Sequence, residues 1–401
     1  MRIRKKRHAT VIQRAFLSLA ILVYSLLSLS QQISTLGSQR PARSDARTIA
    51  GHRIVKILSQ NNSPIHRSFP GFRPGKIFQD KQGRYWVGPS LGGEKMVASY
   101  EEMTDNWTFF VERQDLDNNS LHYNSGALIP FDVRRISQSK DGQIWFIDRS
   151  TASSASSHRL FFSSFDGKQW HRQELDGLLG EGANIGIFCD ASGILWFWIG
   201  EEIRSFDGKR WSVAKSIPDS FKNQPRLEKK GVDKPSQYMQ GGRYNILDAI
   251  QDHEGDWWFG TVNGILRYDR RSGEWKDFPE IRQNQHIFED KVGRIWFADW
   301  NEVSVYDKVK KSIKTFRLSD YVPKDRCEDS FPGLNCLFQD KRGQMLFGHG
   351  CGLLCYSEAT AKWELLNLAD IGLECEVEDI MEDRLGRIWI STGSGIVVLE
   401  P

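Results

Sequence analysis

The sequence predicts an all-β fold, a seven-bladed β-propeller with four antiparallel strands per blade. Three observations carry that reading: a composition rich in Gly (35) and Trp (14), a ten-residue pattern that recurs seven times, and four short strands joined by tight turns in each unit of about 50 residues. Many short strands joined by tight turns need such a composition, and a helical bundle does not.

The first thirty residues stand apart from the repeat. Residues 1–14 carry six Lys or Arg and no acid, and residues 15–30 (AFLSLAILVYSLLSLS) contain no charge. A basic stretch, an apolar run and the small residues Ser28 and Ser30 predict a secretory signal peptide cut near Ser30. An uncleaved membrane anchor is the alternative reading, although the run is short of the roughly 20 apolar residues a span needs. Residues 31–47, polar and holding Pro and Arg from Ser38 onward, read as a linker, and 48–401 as the propeller. The expected location is therefore exported, periplasmic or extracellular.

This division also reassigns the charge. The chain is +3 overall, but residues 1–47 hold nine Lys or Arg against Asp45 alone, which leaves residues 48–401 at −5. A mildly acidic body is not built to bind a nucleic-acid polyanion.

The repeat itself reads IFQDKQGRYW, ISQSKDGQIW, IFCDASGILW, AIQDHEGDWW, IFEDKVGRIW, LFQDKRGQML and IMEDRLGRIW. The intervals between its turn glycines, Gly83 to Gly386, average about 50 residues. In the fourth copy, 245–252 alternates as a first strand and Asp252 to Gly255 makes a turn. There the Asp can bond backbone amides, and the Gly supplies the positive φ. Residues 256–260, 265–269 and 275–278 follow as three more strands. The WD40 pattern expects a Trp-Asp pair at a strand end, and kelch repeats expect a double glycine before the second strand. Neither is present. Outer strands are readable in six copies only, and the seventh copy ends after its third strand. Residues 52–58 (HRIVKIL) are thus expected to supply the outer strand of the last blade, because an open ring would expose a sheet edge.

Eleven of the 14 Trp fall at two repeat positions, the second strand and the outer strand, where large rings fill the wedges between blades. Trp257 sits beside one of these positions. Trp198 and Trp300 remain as candidate stacking residues, with Asn301, His349 and Arg243 completing a candidate ligand face. In a four-stranded meander the DxxG turns all lie on one side. The long insertions 114–131, 148–158, 214–244 and 319–334 lie on the other, which is where binding is expected. Cys327, Cys336, Cys351 and Cys375 map to that side, with Cys327–Cys336 and Cys351–Cys375 the first pairing to test; free thiols and a metal cluster with His349 are the alternatives. The repeated Asp residues have no second carboxylate at a fixed offset, and they are expected to serve their turns. No GxSxG, HExxH, Walker or GxGxxG pattern is present, so no catalytic residue, cofactor or metal site is predicted.

The fourth copy, IQDHEGDWWFGTVNGILRYD, and the last, IMEDRLGRIWISTGSGIVVLE, resemble the two-component regulator propeller repeat. The resemblance covers all seven units, with Ser139 in place of Asp and Leu346 in place of Trp as departures. It implies an extracytoplasmic, non-catalytic sensory propeller. Such a protein would bind an oligosaccharide or other small ligand and act through a partner such as a membrane histidine kinase. A secreted or anchored protein-interaction scaffold is the first alternative. The repeat is also similar to that of streptogramin-lyase-type propellers, which are metal-dependent; His286, His349 and Glu302 would then be the groups to examine.

Overall fold

The computed structural model describes residues 48–59, 69–90, 96–111, 133–148, 160–175, 185–190, 192–199, 202–206, 210–218, 246–261, 264–278, 280–281, 286–322 and 333–400. The expected leader 1–30, linker 31–47 and much of each long insertion lie outside them. Among the described residues no helix is long and apolar enough to cross a membrane.

Seven antiparallel sheets form, each a meander, as the repeat predicts. The first strands run Pro74–Gln79, Val133–Gln138, Ile185–Cys189, Ile246–Gln251, His286–Glu289, Leu334–Gln339 and Val377–Glu382, and each contacts the first strand of the next blade around the axis. The last sheet closes as expected: His52–Ser59 pairs with Gly395–Glu400, the third strand of blade seven. A fifth strand, Thr48–Ile49, folds back on it through Ala50 and Gly51, both at positive φ. That hairpin was not visible in the sequence pattern.

The seven turns are alike for a physical reason. All seven repeat glycines take φ between 79° and 93°, which side chains with a Cβ rarely adopt. In Asp80, one carboxylate oxygen accepts from the backbone N–H groups of Gln82 and Arg84, and the other from the indole N–H of Trp86 at 2.9 Å. The same indole bond joins Trp196 to Asp190, Trp258 to Asp252, Trp296 to Asp290 and Trp389 to Asp383. The D-x-x-G-x-x-W spacing therefore encodes a buried charge-assisted bond that ties each turn to its blade core.

The two departures are handled differently. In blade two the Trp145 indole donates to the Ser139 hydroxyl at 3.2 Å, a neutral substitute. In blade six Leu346 has no indole, and His52 Nε2 from the closing strand lies 2.9 Å from Asp340. The N-terminal strand thus closes blade seven and also supplies the donor that blade six lacks.

Adjacent blades are stitched along the turn face. The residue after the turn Asp gives its N–H to the side chain that precedes the turn in the next blade: Lys81 to Gln138, His253 to Glu289, Lys291 to Gln339 and Arg384 to Gln79. The Lys81 and Lys291 ammonium groups also reach the carbonyls of Ser139 and Asp340. Between the blades, seven apolar clusters form the core.

Candidate functional site: the axial cavity

With the repeated Asp, Gly and Trp committed to the scaffold, the chemistry left over lies on the first strands. Four residues before the turn Asp, the seven copies carry Lys76, Arg135, Gly186, Asp248, His286, Cys336 and Asp379. Charged groups in strands that ring the axis must pair or meet water. Here they do both. Lys76 donates to the Glu378 carbonyl at 2.9 Å and pairs with Asp379 at 3.4 Å. Arg135 of blade two pairs with Asp248 of blade four, passing blade three, where Gly186 offers no side chain to obstruct it. The second oxygens of Asp248 and Asp379 accept the Ile287 and Ile77 N–H groups of the following blades.

Electrostatics fix the state of this ring. Burial pulls the Arg135 guanidinium down to about 10, with Asp379 opposing, so it remains charged at neutral pH. Burial, helped by the Lys76 and Arg135 charges, pushes His286 down to about 3 and holds it neutral. Burial pushes the Cys336 thiol up to about 12, which makes it a poor nucleophile.

A cavity of about 340 Å³ opens beside Arg135, within the usual range for small-ligand sites. Phe78, Phe188, Ile136 and Ile187 wall it, Ser137, Gln138, Gln79 and Cys189 add polar edges, and Lys81 and Arg384 stand in the turns at its mouth. Its position between blades one, two and three follows from the sequence. Two residues before the turn Asp, six blades carry Phe78, Phe188, Ile250, Phe288, Phe338 and Met381, and blade two carries Ser137. The signal was legible, since a lone small residue in an otherwise large, apolar column leaves a gap.

Of the expected ligand face, Trp198 and His349 are buried and Trp300 is exposed. Trp198 is 1% exposed and lies against Gly186, its register partner. A Cβ on Gly186 would overlap the indole, whose N–H donates to the Ile246 carbonyl at 2.9 Å. In blades four and six the inner strand holds the larger side chain and its partner is glycine, Asp248 with Gly260 and Cys336 with Gly348. Blade three reverses the sizes, so Trp198 is a packing residue, and its ring forms a platform 5.9 Å below the Arg135 guanidinium. Trp257 is buried too, edge-on to Trp196 at 4.4 Å. Trp300 is 53% exposed. Asn301 caps its loop, its side-chain oxygen accepting the Ser319 N–H. His349 is buried, its Nδ1 accepts the Cys351 N–H at 3.0 Å, and burial pushes it down to about 4. Arg243 lies outside the described residues.

The expected disulfide pairing is corrected. Cys336 and Cys375 are free thiols, Cys336 buried against Gly348 and Cys375 donating to the Asn367 side chain. Cys351 is disulfide-bonded, so its partner is not Cys375, and Cys327 lies outside the described residues. Two further free thiols lie within strands, Cys355 buried and Cys189 half-buried at the cavity wall.

The lyase-type residues do not converge. His286 faces the axial cations, His349 is engaged at the far end of a second strand, and Glu302 sits on a third strand beside Arg317. One acidic group has metal-compatible spacing among the described residues, Asp252, Glu254 and Asp256. The Lys308 ammonium bonds the first two, and Arg267 pairs with the third. Those cations already neutralise it.

No family model matches the sequence, and no curated protein matches it. Solved structures resemble its fold at low identity. A catalytically inactive virginiamycin B lyase from Staphylococcus aureus, crystallised with quinupristin, is 15% identical with a TM-score of 0.56, covering 86% of this chain and 98% of its own. The extracellular domain described as that of a one-component system from B. thetaiotaomicron is 13% identical with a TM-score of 0.56, covering 86% of this chain and 40% of that one. YCF48 bound to a D1 peptide is 9% identical with a TM-score of 0.54, covering 89% and 97%. At these identities the likeness extends to the propeller fold alone, which is also that of a lyase, of an extracellular domain of a one-component system and of a protein bound to a peptide.

Proposed function

We propose that the protein is an exported, non-catalytic propeller that binds a small ligand on its axis and passes the binding event to a partner protein. The axial cavity beside Arg135 is the observation that carries this reading, because it is the place where the repeat's own packing rule is broken and the gap is left open. The basic and apolar leader supports export. The fold it shares with an extracellular domain of a B. thetaiotaomicron signalling system supports a sensory role, with a membrane histidine kinase as the expected class of partner.

Calorimetric titration of the full-length protein with mono- and oligosaccharides, small organic acids and divalent ions tests it, with mass spectrometry of the ligand afterwards. Saturable binding with the ligand recovered unchanged is expected. A ligand recovered cleaved would make the protein an enzyme, and heat with none of them would remove the ligand-binding reading.

A further inference from the structure

Resting on that reading, we infer that the cavity between blades one, two and three selects a small carboxylate carried on a flat, apolar body, such as an aromatic acid. Two sets of observations lead there, one of shape and one of charge.

The seam between blades two and three differs from the repeat at three places. Ser137 replaces a large side chain, Gly186 yields its inner position to the Trp198 ring, and Cys189 replaces the Gln or Glu that precedes the turn elsewhere. That last change removes the amide stitch. Lys140 gives its N–H to the Gly193 carbonyl instead of to a side chain. The space so opened lies between Phe78 and Phe188, and aromatic walls hold a flat apolar body through area burial and offset stacking. Both glutamine side chains at its edge are already engaged in the turns and stitches, which leaves few neutral polar partners for a sugar-sized ligand.

Charge selects the sign. Arg135, Lys81 and Arg384 line the cavity, with no Asp or Glu among its described lining residues, although residues 48–401 as a whole are at −5. A cationic pocket in an acidic body focuses the field on one small anion and rejects large polyanions. Arg135 uses one Nη for Asp248, and its planar fork has further N–H donors suited to a second carboxylate. The Trp198 ring lies beneath that fork.

The test titrates full-length protein with benzoate, phenylacetate and indole-3-acetate, each beside its neutral amide, and with glucuronate and maltose. At least one aromatic carboxylate should bind, its amide at least tenfold more weakly. Ser137→Phe, which installs the side chain that blades one, three, five and six carry at this position, should weaken binding at least tenfold. Ser137→Ile, the residue of blade four, replaces it should the larger ring disturb folding. Arg384→Gln should weaken binding severalfold without altering the melting temperature. Equal binding of acid and amide, binding indifferent to the Ser137 variants, preference for glucuronate, or no binding of any aromatic acid would each overturn the inference. Maltose bound equally by wild type and Ser137→Phe would leave the ligand-binding reading standing and remove this pocket from it.

Discussion

Blades two and six both depart from the repeat, and they were repaired in opposite ways. Blade six loses its indole at Leu346, and the chain brings His52 from the other end of the sequence to satisfy Asp340. Blade two loses the carboxylate at Ser139 and the large wall residue at Ser137. It keeps a weaker neutral bond at the first, and nothing in the described chain fills the second. A departure that another segment covers is a joint in the scaffold. A departure left uncovered among the described residues is where the proposed ligand would sit.

The comparison breaks most visibly if the joint is removed. Deleting residues 48–59 takes out the outer strand of blade seven, the buried side chains of Ile49 and Leu58, and the donor to Asp340. The loss should be roughly 4–8 kcal/mol, from apolar burial plus one buried charged acceptor. Thermal unfolding should become early and broad, and an unchanged transition would show that the ring does not depend on this closure. His52→Ala isolates the bond and should cost about 1–3 kcal/mol. Its pH dependence has a defined sign. Burial pushes the Asp340 carboxyl up, but the His52 bond and the Gln344 amide overcome this and hold it below its usual value. A depressed carboxyl stabilises the fold above the unfolded value of about 3.9, and that contribution is lost as pH falls through the folded value. Unfolding of the wild type should therefore steepen with acid below about pH 4, and His52→Ala should flatten that limb. Parallel acid limbs in the two proteins would mean that His52 is not what holds this carboxylate.

The scaffold was legible because it is repeated. Seven glycines, six turn Asp and the missing fourth strand of the last blade led to the ring and to closure by residues 52–58. The role of Asp was only half visible, since its bonds to turn amides follow from turn chemistry, whereas its bond to an indole six residues on needs the strand geometry. The candidate ligand face was drawn for a related reason. Trp198 and Trp300 stood out as leftovers from the repeat, but one of them only trades sizes with Gly186 across a strand pair. The informative departures were small: Ser137, Gly186 and Cys189 do not look like ligand residues, and Arg135 and Asp248 become a pair only when blades two and four curve to one axis.

Blade two offers two sharper and smaller tests. Ser139→Asp restores a charged acceptor for the Trp145 indole and should add about 1 kcal/mol. Asp141, whose carboxylate already contacts the Ser139 hydroxyl, would reduce the gain by like-charge repulsion. Denaturant unfolding with an unchanged slope would measure it, and a destabilised variant would show that blade two has repacked around serine. Ser137→Phe makes the finest distinction. If the cavity is an ordinary packing defect, filling it should stabilise the ligand-free protein by about 0.5–2 kcal/mol, as cavity filling commonly does. If the cavity is open and hydrated around Arg135, a phenyl ring gains apolar contact with Phe78 and Phe188 but takes solvent from a guanidinium that is about one-third exposed. The two effects then offset, and the melting temperature should move little. A gain near the top of that range would argue that blade two, like blade six, is only scaffold; a change near zero combined with lost ligand binding would mark it as the working blade.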